Sequence, residues 1–330
     1  MRNLFLLLLL LLIIGSCKQK PAPANIESEE RNQVQTITPA AFNSDSAYKF
    51  VQDQVRFGSR VPNSKAHTKC ADWLETTLKR FTPVVVSQTF TAQAFDKTKL
   101  NCRNLIASFN VKSSTRVLLC SHWDSRPFAD NDPDSTKHRT PIDGANDGAS
   151  GVGVLLEIAR QLKITPTDIG VDILLLDGED YGAPQNSGFI GSDDWALGSQ
   201  YWSRYPHTQA YSARYGILLD MVGAENAVFT MEGTSMYYAP DIAQKVWNMA
   251  NAIGHSDYFS TERTNGITDD HLYINQLRQV PTIDIIQNDP STQTGFYQHW
   301  HTTNDNMAGI SKTTLMAVGQ TVLTTVRNEK

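Results

Sequence analysis

Three apolar runs in this chain stop on a carboxylate or an imidazole. Val117-Leu118-Leu119 runs into His122-Trp123-Asp124, Val171 to Leu176 runs into Asp177-Gly178-Glu179-Asp180, and Ile217-Leu218-Leu219 runs into Asp220. Runs this short and this apolar read as strands buried on both faces, as in a parallel sheet covered by helices. Between the first two, Gly151 to Leu162 places Val154, Leu155, Ile158 and Leu162 on one helical face. Strands alternating with helices specify an α/β domain, with a central mixed, twisted sheet flanked by helices on both faces. In such sheets side chains from separate strand ends converge on one crevice, so the pattern constrains the site together with the fold.

Further helices are expected over residues 44–56, over 64–81 with Ser64 as N-cap, over 241–252 and over 312–327. Further strands are expected over 84–90, 105–109 and 280–286, where branched and aromatic residues gather. No second polar linker interrupts 39–330, which points to one globular domain. A net charge of −5 and the lack of a basic run exclude nucleic acid as the natural partner.

Ahead of that domain, Arg2 precedes an unbroken apolar run from Leu4 to Ile14. The run is too short to cross a bilayer and has the form of a signal peptide, here residues 1–16. Residues 17–38 are polar, contain Pro21 and Pro23, and read as a flexible tether. Ile14-Gly15-Ser16-Cys17 resembles a bacterial lipobox, which implies an exported protein lipidated on Cys17, held in the cell envelope at its periplasmic face and touching the membrane through that lipid only. The alternative is an ordinary leader with an incidental cysteine. Cys70, Cys102 and Cys120 remain, an odd number with room for one bridge but no disulfide framework. Cys120 closes a buried strand and reads as core rather than as a zinc ligand.

The segment Asp143 to Gly151 opens the 151–162 helix and, taken alone, reads as a glycine-rich turn capped by Ser150 or Asp147. Glu179-Asp180 changes that reading. Adjacent residues on an extended chain point to opposite sides, so one carboxylate can bind a metal while its neighbour faces the reacting group. His122 and Asp124 repeat the logic on another strand, a ligand beside a residue that orients it. His299-Trp300-His301 offers two imidazoles around an indole; His301 is the expected ligand and His299 structural. Hard oxygen donors with imidazole suit zinc.

Taken in order, His122-Trp123-Asp124-Ser125, Gly144 to Gly151, Asp177 to Asp180, Leu219 to Gly223 and His301-Thr302 resemble the zinc-aminopeptidase-like metallopeptidases over most of the chain. Trp300 before His301, Asp269-Asp270-His271-Leu272 followed by Gln279-Val280-Pro281, and His122 to Arg126 are similar to the glutaminyl-peptide cyclotransferases of that fold. That resemblance implies one Zn2+ per chain held by Asp147, Asp180 and His301, Glu179 as the proton-transfer group, and Asp220 and Asp269 in its hydrogen-bond network. It also implies a substrate pocket at Trp300, Trp195, Ile267 and Thr268, and peptides or proteins with N-terminal glutamine as partners, with a monomer as the simplest state. Asp180 stands where the family often has Glu, which would draw the metal toward its loop. Two-zinc aminopeptidases of the same fold use His122, Asp147, Asp180, Asp220 and His301. All five types are present, so His122 is either a second-metal ligand or a hydrogen-bond residue. A non-catalytic, peptide-capturing lipoprotein would lack ligands or the acid–base carboxylate, and neither is missing.

Overall fold

The computed structural model describes residues 37–184, 187–189 and 193–330. The leader, Cys17 and nearly all of the tether lie outside the described residues, as do Gln185 and Asn186. Among the described residues a six-stranded sheet runs in the order β1 (Val85–Gln93), β2 (Lys99–Phe109), β4 (Gly170–Leu176), β3 (Arg116–His122), β5 (Tyr215–Asp220), β8 (Thr282–Ile286). β1, β2 and β4 pair antiparallel, whereas β4, β3, β5 and β8 pair parallel. The mixed sheet expected from the sequence is the one observed.

Helices α1 (Ser44–Val55), α2 (Lys65–Lys79), α3 (Ala149–Ile164), α6 (Pro240–Ala252) and α8 (Lys312–Arg327) fall close to the expected spans. Ser64 caps α2 by accepting the His67 N–H at 3.0 Å. Strand alternation divides the core: Val117, Leu119, Ile173 and Ile217 face one apolar layer, while Leu118, Cys120, Leu174 and Leu218 face another with Trp202 and Ile274. Cys120 is therefore core, as its sequence context suggests. Cys70, Cys102 and Cys120 are all buried and free, so no bridge forms among them.

Three expectations are corrected. β2, expected over 105–109, begins six residues earlier at Lys99. α3 starts at Ala149, two residues early, and its cap is Gly148 with no side-chain hydrogen bond; Ser150 lies inside the helix and donates to the Asn146 carbonyl at 2.5 Å. The strand expected over 280–286 begins at Thr282, because Pro281 cannot donate to the ladder. Short elements with little periodicity escaped the sequence: α4 (Leu197–Arg204), β6 (Phe229–Met231), α5 (Gly233–Tyr238), β7 (Phe259–Arg263) and α7 (Asp270–Tyr273). None of the described helices is long and apolar enough to cross a membrane.

Strand order fixes where a site can form. The chain leaves β3 toward β4 on one side and later returns to place β5 on the other. The crevice beyond the carboxyl ends of β3 and β5 is the switch point at which doubly wound sheets bind ligands. His122 ends β3 and Asp220 ends β5.

Candidate active site and metal centre

The loop entering α3 drops into that crevice. A Cβ on Gly148 would lie 2.6 Å from the His122 ring, and one on Gly151 would lie 2.3 Å from the Leu219 carbonyl, so both glycines permit the approach. Asp147 is thereby held between two imidazoles: His122 Nε2 is 3.0 Å from Oδ1 and His301 Nε2 is 3.7 Å from Oδ2. His122 Nε2 also lies 3.1 Å from Asp220, and His301 Nε2 lies 3.2 Å from Asp180. Two donor sets result, Asp147-Asp180-His301 and His122-Asp147-Asp220, each with ligand atoms within 4.8 Å of one another and sharing Asp147.

The first set fits a cation. Among the described residues both Asp180 oxygens are buried without a well-formed hydrogen bond, His301 Nε2 at 3.2 Å being a near neighbour. Burial, with the Asp147 charge beside it, pushes Asp180 up to about 6. Burial also acts on Asp147, but the His122 hydrogen bond and the charges of His122 and His301 hold it below the usual carboxylate range. Bare buried carboxylates are what a divalent ion compensates, and two carboxylates with an imidazole are a zinc donor set.

A stability consequence follows for metal-stripped protein. Asp180 at about 6 and Asp220 at about 7, both raised first by burial and then by Asp147, sit above the unfolded value of about 3.9. Below pH about 4 neither group distinguishes folded from unfolded chain. As pH rises toward 7 the unfolded chain holds fewer protons, so the stripped protein loses stability. The Tm gap between zinc-loaded and stripped protein should widen from pH 4 to 7 in thermal scans. A constant gap would sink the argument.

Glu179 and Asp180 are placed by Asp124, whose two oxygens accept their backbone N–H groups at 3.1 and 3.2 Å. Asp124 Oδ1 is 3.6 Å from His122 Nδ1, so it serves the Glu179 loop more directly than the imidazole it was expected to orient. Asp305 does for the other loop what Asp124 does here, accepting from Asn146 N–H at 2.8 Å and Asp147 N–H at 3.1 Å. Arg126 stacks over Trp195, pairs with Asp130 at 2.7 Å and donates to the Asp180 and Gly182 carbonyls. Asp130 in turn lies 3.5 Å from His301 Nδ1. Arg60, fully buried, binds the carbonyls of Trp123, Asp143 and Gly144. Asp305, Asp130 and Arg60 were not singled out from the sequence. Asp305 follows His301 by four residues, a signal available in retrospect, whereas Arg60 carries none.

Glu179 opens with Asp147, Asp180, Asp220 and Asp269 onto a cavity of about 770 Å³. Burial raises the Glu179 pKa well above its ordinary value against the pull of His122, and the charges of Asp269 and Asp180 add to the rise. Trp195, Trp300, Ile267, Thr268 and Phe296 also line this cavity. Both indoles stack on the His301 ring, Trp300 at 3.6 Å and Trp195 at 5.9 Å between centroids. His299 packs instead against Tyr297. All the pocket residues expected from the sequence thus meet in one cavity.

Residues 104–326 match peptidase family M28. The chain belongs to that family. Its structure is similar to that of Bacteroides thetaiotaomicron glutaminyl cyclase bound to N-acetylhistamine, at 53% identity and a TM-score of 0.86 over 89% of this chain and 100% of that one. It is also similar to a Zn-dependent exopeptidase from Parabacteroides distasonis, at 50% identity and a TM-score of 0.87 over 88% and 100%. Aminopeptidase YwaD of Bacillus subtilis is 28% identical over 225 residues, 66% of this chain. The chain spans 42% of the length of that aminopeptidase.

Proposed function

We infer that this M28 protein is a zinc-dependent glutaminyl-peptide cyclotransferase, converting N-terminal glutamine of peptides to pyroglutamate with release of ammonia. The observation that carries the reading is the cavity in which a buried, high-pKa Glu179 faces two indoles packed on His301. The 53% identity to a glutaminyl cyclase, along that chain's whole length, supports it.

Asp147, Asp180 and His301 would hold one catalytic zinc, which when bound would supply Lewis acidity toward the γ-carboxamide carbonyl. Trp195, Trp300 and Ile267 confine the glutamine side chain so that its own α-amine meets that carbonyl carbon. As the new C–N bond forms, Glu179 takes a proton from the α-amine; as the amide C–N bond breaks, it returns the proton to the departing nitrogen, which leaves as ammonia. A carboxylate kept basic by burial suits both halves of that transfer. Asp220, pushed up to about 7 by burial and the neighbouring Asp147 charge, would keep its hydrogen bond to His122, which supports the hydrogen-bond role for His122 in this reading.

The purified protein should convert a Gln-initiated peptide to its pyroglutamyl form, read as ammonia loss by mass spectrometry, and leave a Leu-initiated control intact. The donor set His122-Asp147-Asp220 supports a second reading, a two-zinc aminopeptidase with Glu179 activating water. Release of leucine at a comparable rate would decide for it. Export and lipid anchoring at Cys17 belong to the same proposal and rest on the Leu4–Ile14 run and the lipobox. Loss of palmitate labelling in Cys17→Ser is the expected result.

A further inference from the structure

The turn that carries Glu179 and Asp180 is held at a second point, away from the cavity. Asp177, fully buried directly after β4, is bound by His67 of α2, whose Nε2 lies 2.9 Å from each carboxylate oxygen. Among the described residues the other donor to that carboxylate is the Arg103 backbone N–H, 2.5 Å from Oδ2, so Oδ1 depends on His67 alone. The same imidazole stacks on Trp123, with 4.5 Å between ring centroids and 22° between planes. Trp123 stands between His122 and Asp124, and its indole N–H donates to the Arg103 carbonyl at 3.0 Å. One side chain on α2 therefore touches the segments that follow β3 and β4 at once. None of His67, Asp177, Trp123 and Arg103 lines the reaction cavity.

A shift of Asp177 would pass directly to Glu179. Only Gly178 separates them, at φ 73°, and a Cβ there would lie 3.1 Å from Cys102 Sγ. A buried polar atom that loses its partner costs about 1–3 kcal/mol, more when charged. Without the His67 donor the Asp177 carboxylate would turn toward water or another N–H group, and the short turn beyond it would follow.

We propose that His67 is a positioning residue, which fixes through Asp177 and Trp123 where the Glu179 carboxylate stands while touching neither substrate nor metal. The assignment rests on Glu179 as the proton-transfer group, a role it has in both readings of the cavity. His67 also lines a separate cavity of about 440 Å³ with Phe90, Asn101 and Cys102, so a smaller side chain at this position would admit water to Asp177.

His67→Phe keeps a ring on Trp123 and removes the donor, whereas His67→Gln returns a donor near the Nε2 position. Misplacing a catalytic group by about 1 Å can cost about 10²-fold in rate. In His67→Phe, kcat per bound zinc should fall by roughly 10- to 100-fold with KM for a Gln-initiated peptide within about twofold, because Trp195, Trp300 and Ile267 are held by other segments. His67→Gln should recover most of the loss. Asp177→Asn should cost little more once His67→Phe is present, a non-additivity expected of one shared route to Glu179. Variants with a lowered Tm but wild-type kcat per bound zinc would make His67 purely structural and overturn the proposal, as would equal losses in His67→Phe and His67→Gln. If His67→Phe does not fold, His67→Ala decides by the same measurements, since water can then solvate Asp177. A wild-type protein that releases leucine and leaves glutamine uncyclised overturns the cyclase reading alone, and leucine release from the same variants then tests His67.

Discussion

Glu179→Gln should lower kcat by about 10²- to 10⁴-fold while the protein keeps its catalytic zinc. The amide preserves the side chain's size, and the loop is held through the Glu179 backbone N–H to Asp124, which the substitution does not touch. What disappears is a group that can both accept and release a proton, in a pocket where burial makes it an effective base. Steady-state kinetics with a Gln-initiated peptide, alongside metal analysis of the same sample, provides the check. Activity within a few-fold of wild type would remove Glu179 from the chemistry.

Asp180→Asn should lose activity by losing the metal. An amide is a poor substitute for a charged ligand, and Asp180 is buried beside Asp147 and His301, where its charge is needed to hold a cation. Dialysed variant should therefore contain little zinc at Asp147-Asp180-His301, with activity partly recovered at high zinc concentration. Zinc retained by this variant but absent from Glu179→Gln would mean that the two neighbouring carboxylates have exchanged roles.

The parts of the fold and site legible in the sequence share a physical cause. β3, β4 and β5 are buried on both faces, so apart from Asp172 in β4 their central residues are apolar, and these runs end sharply where the chain meets the crevice; His122, Glu179, Asp180 and Asp220 are visible because of that edge. Trp195 and Ile267 lie in irregular segments, and only the resemblance to the cyclotransferases located them. The supporting residues were harder to see. Asp305 and Asp130 act on atoms far from them in sequence, and Arg60 binds carbonyls whose positions no local pattern reveals.

Asp124 and Asp305 each grip two successive backbone amides, and neither needs a metal to do so. Both ligand-bearing loops are therefore restrained by the chain's own hydrogen bonds, which lowers the ordering entropy that metal binding has to offset. A centre organised this way can exchange its ion without unfolding, so that the identity of the metal becomes a matter of supply and donor chemistry rather than of how the chain was first assembled.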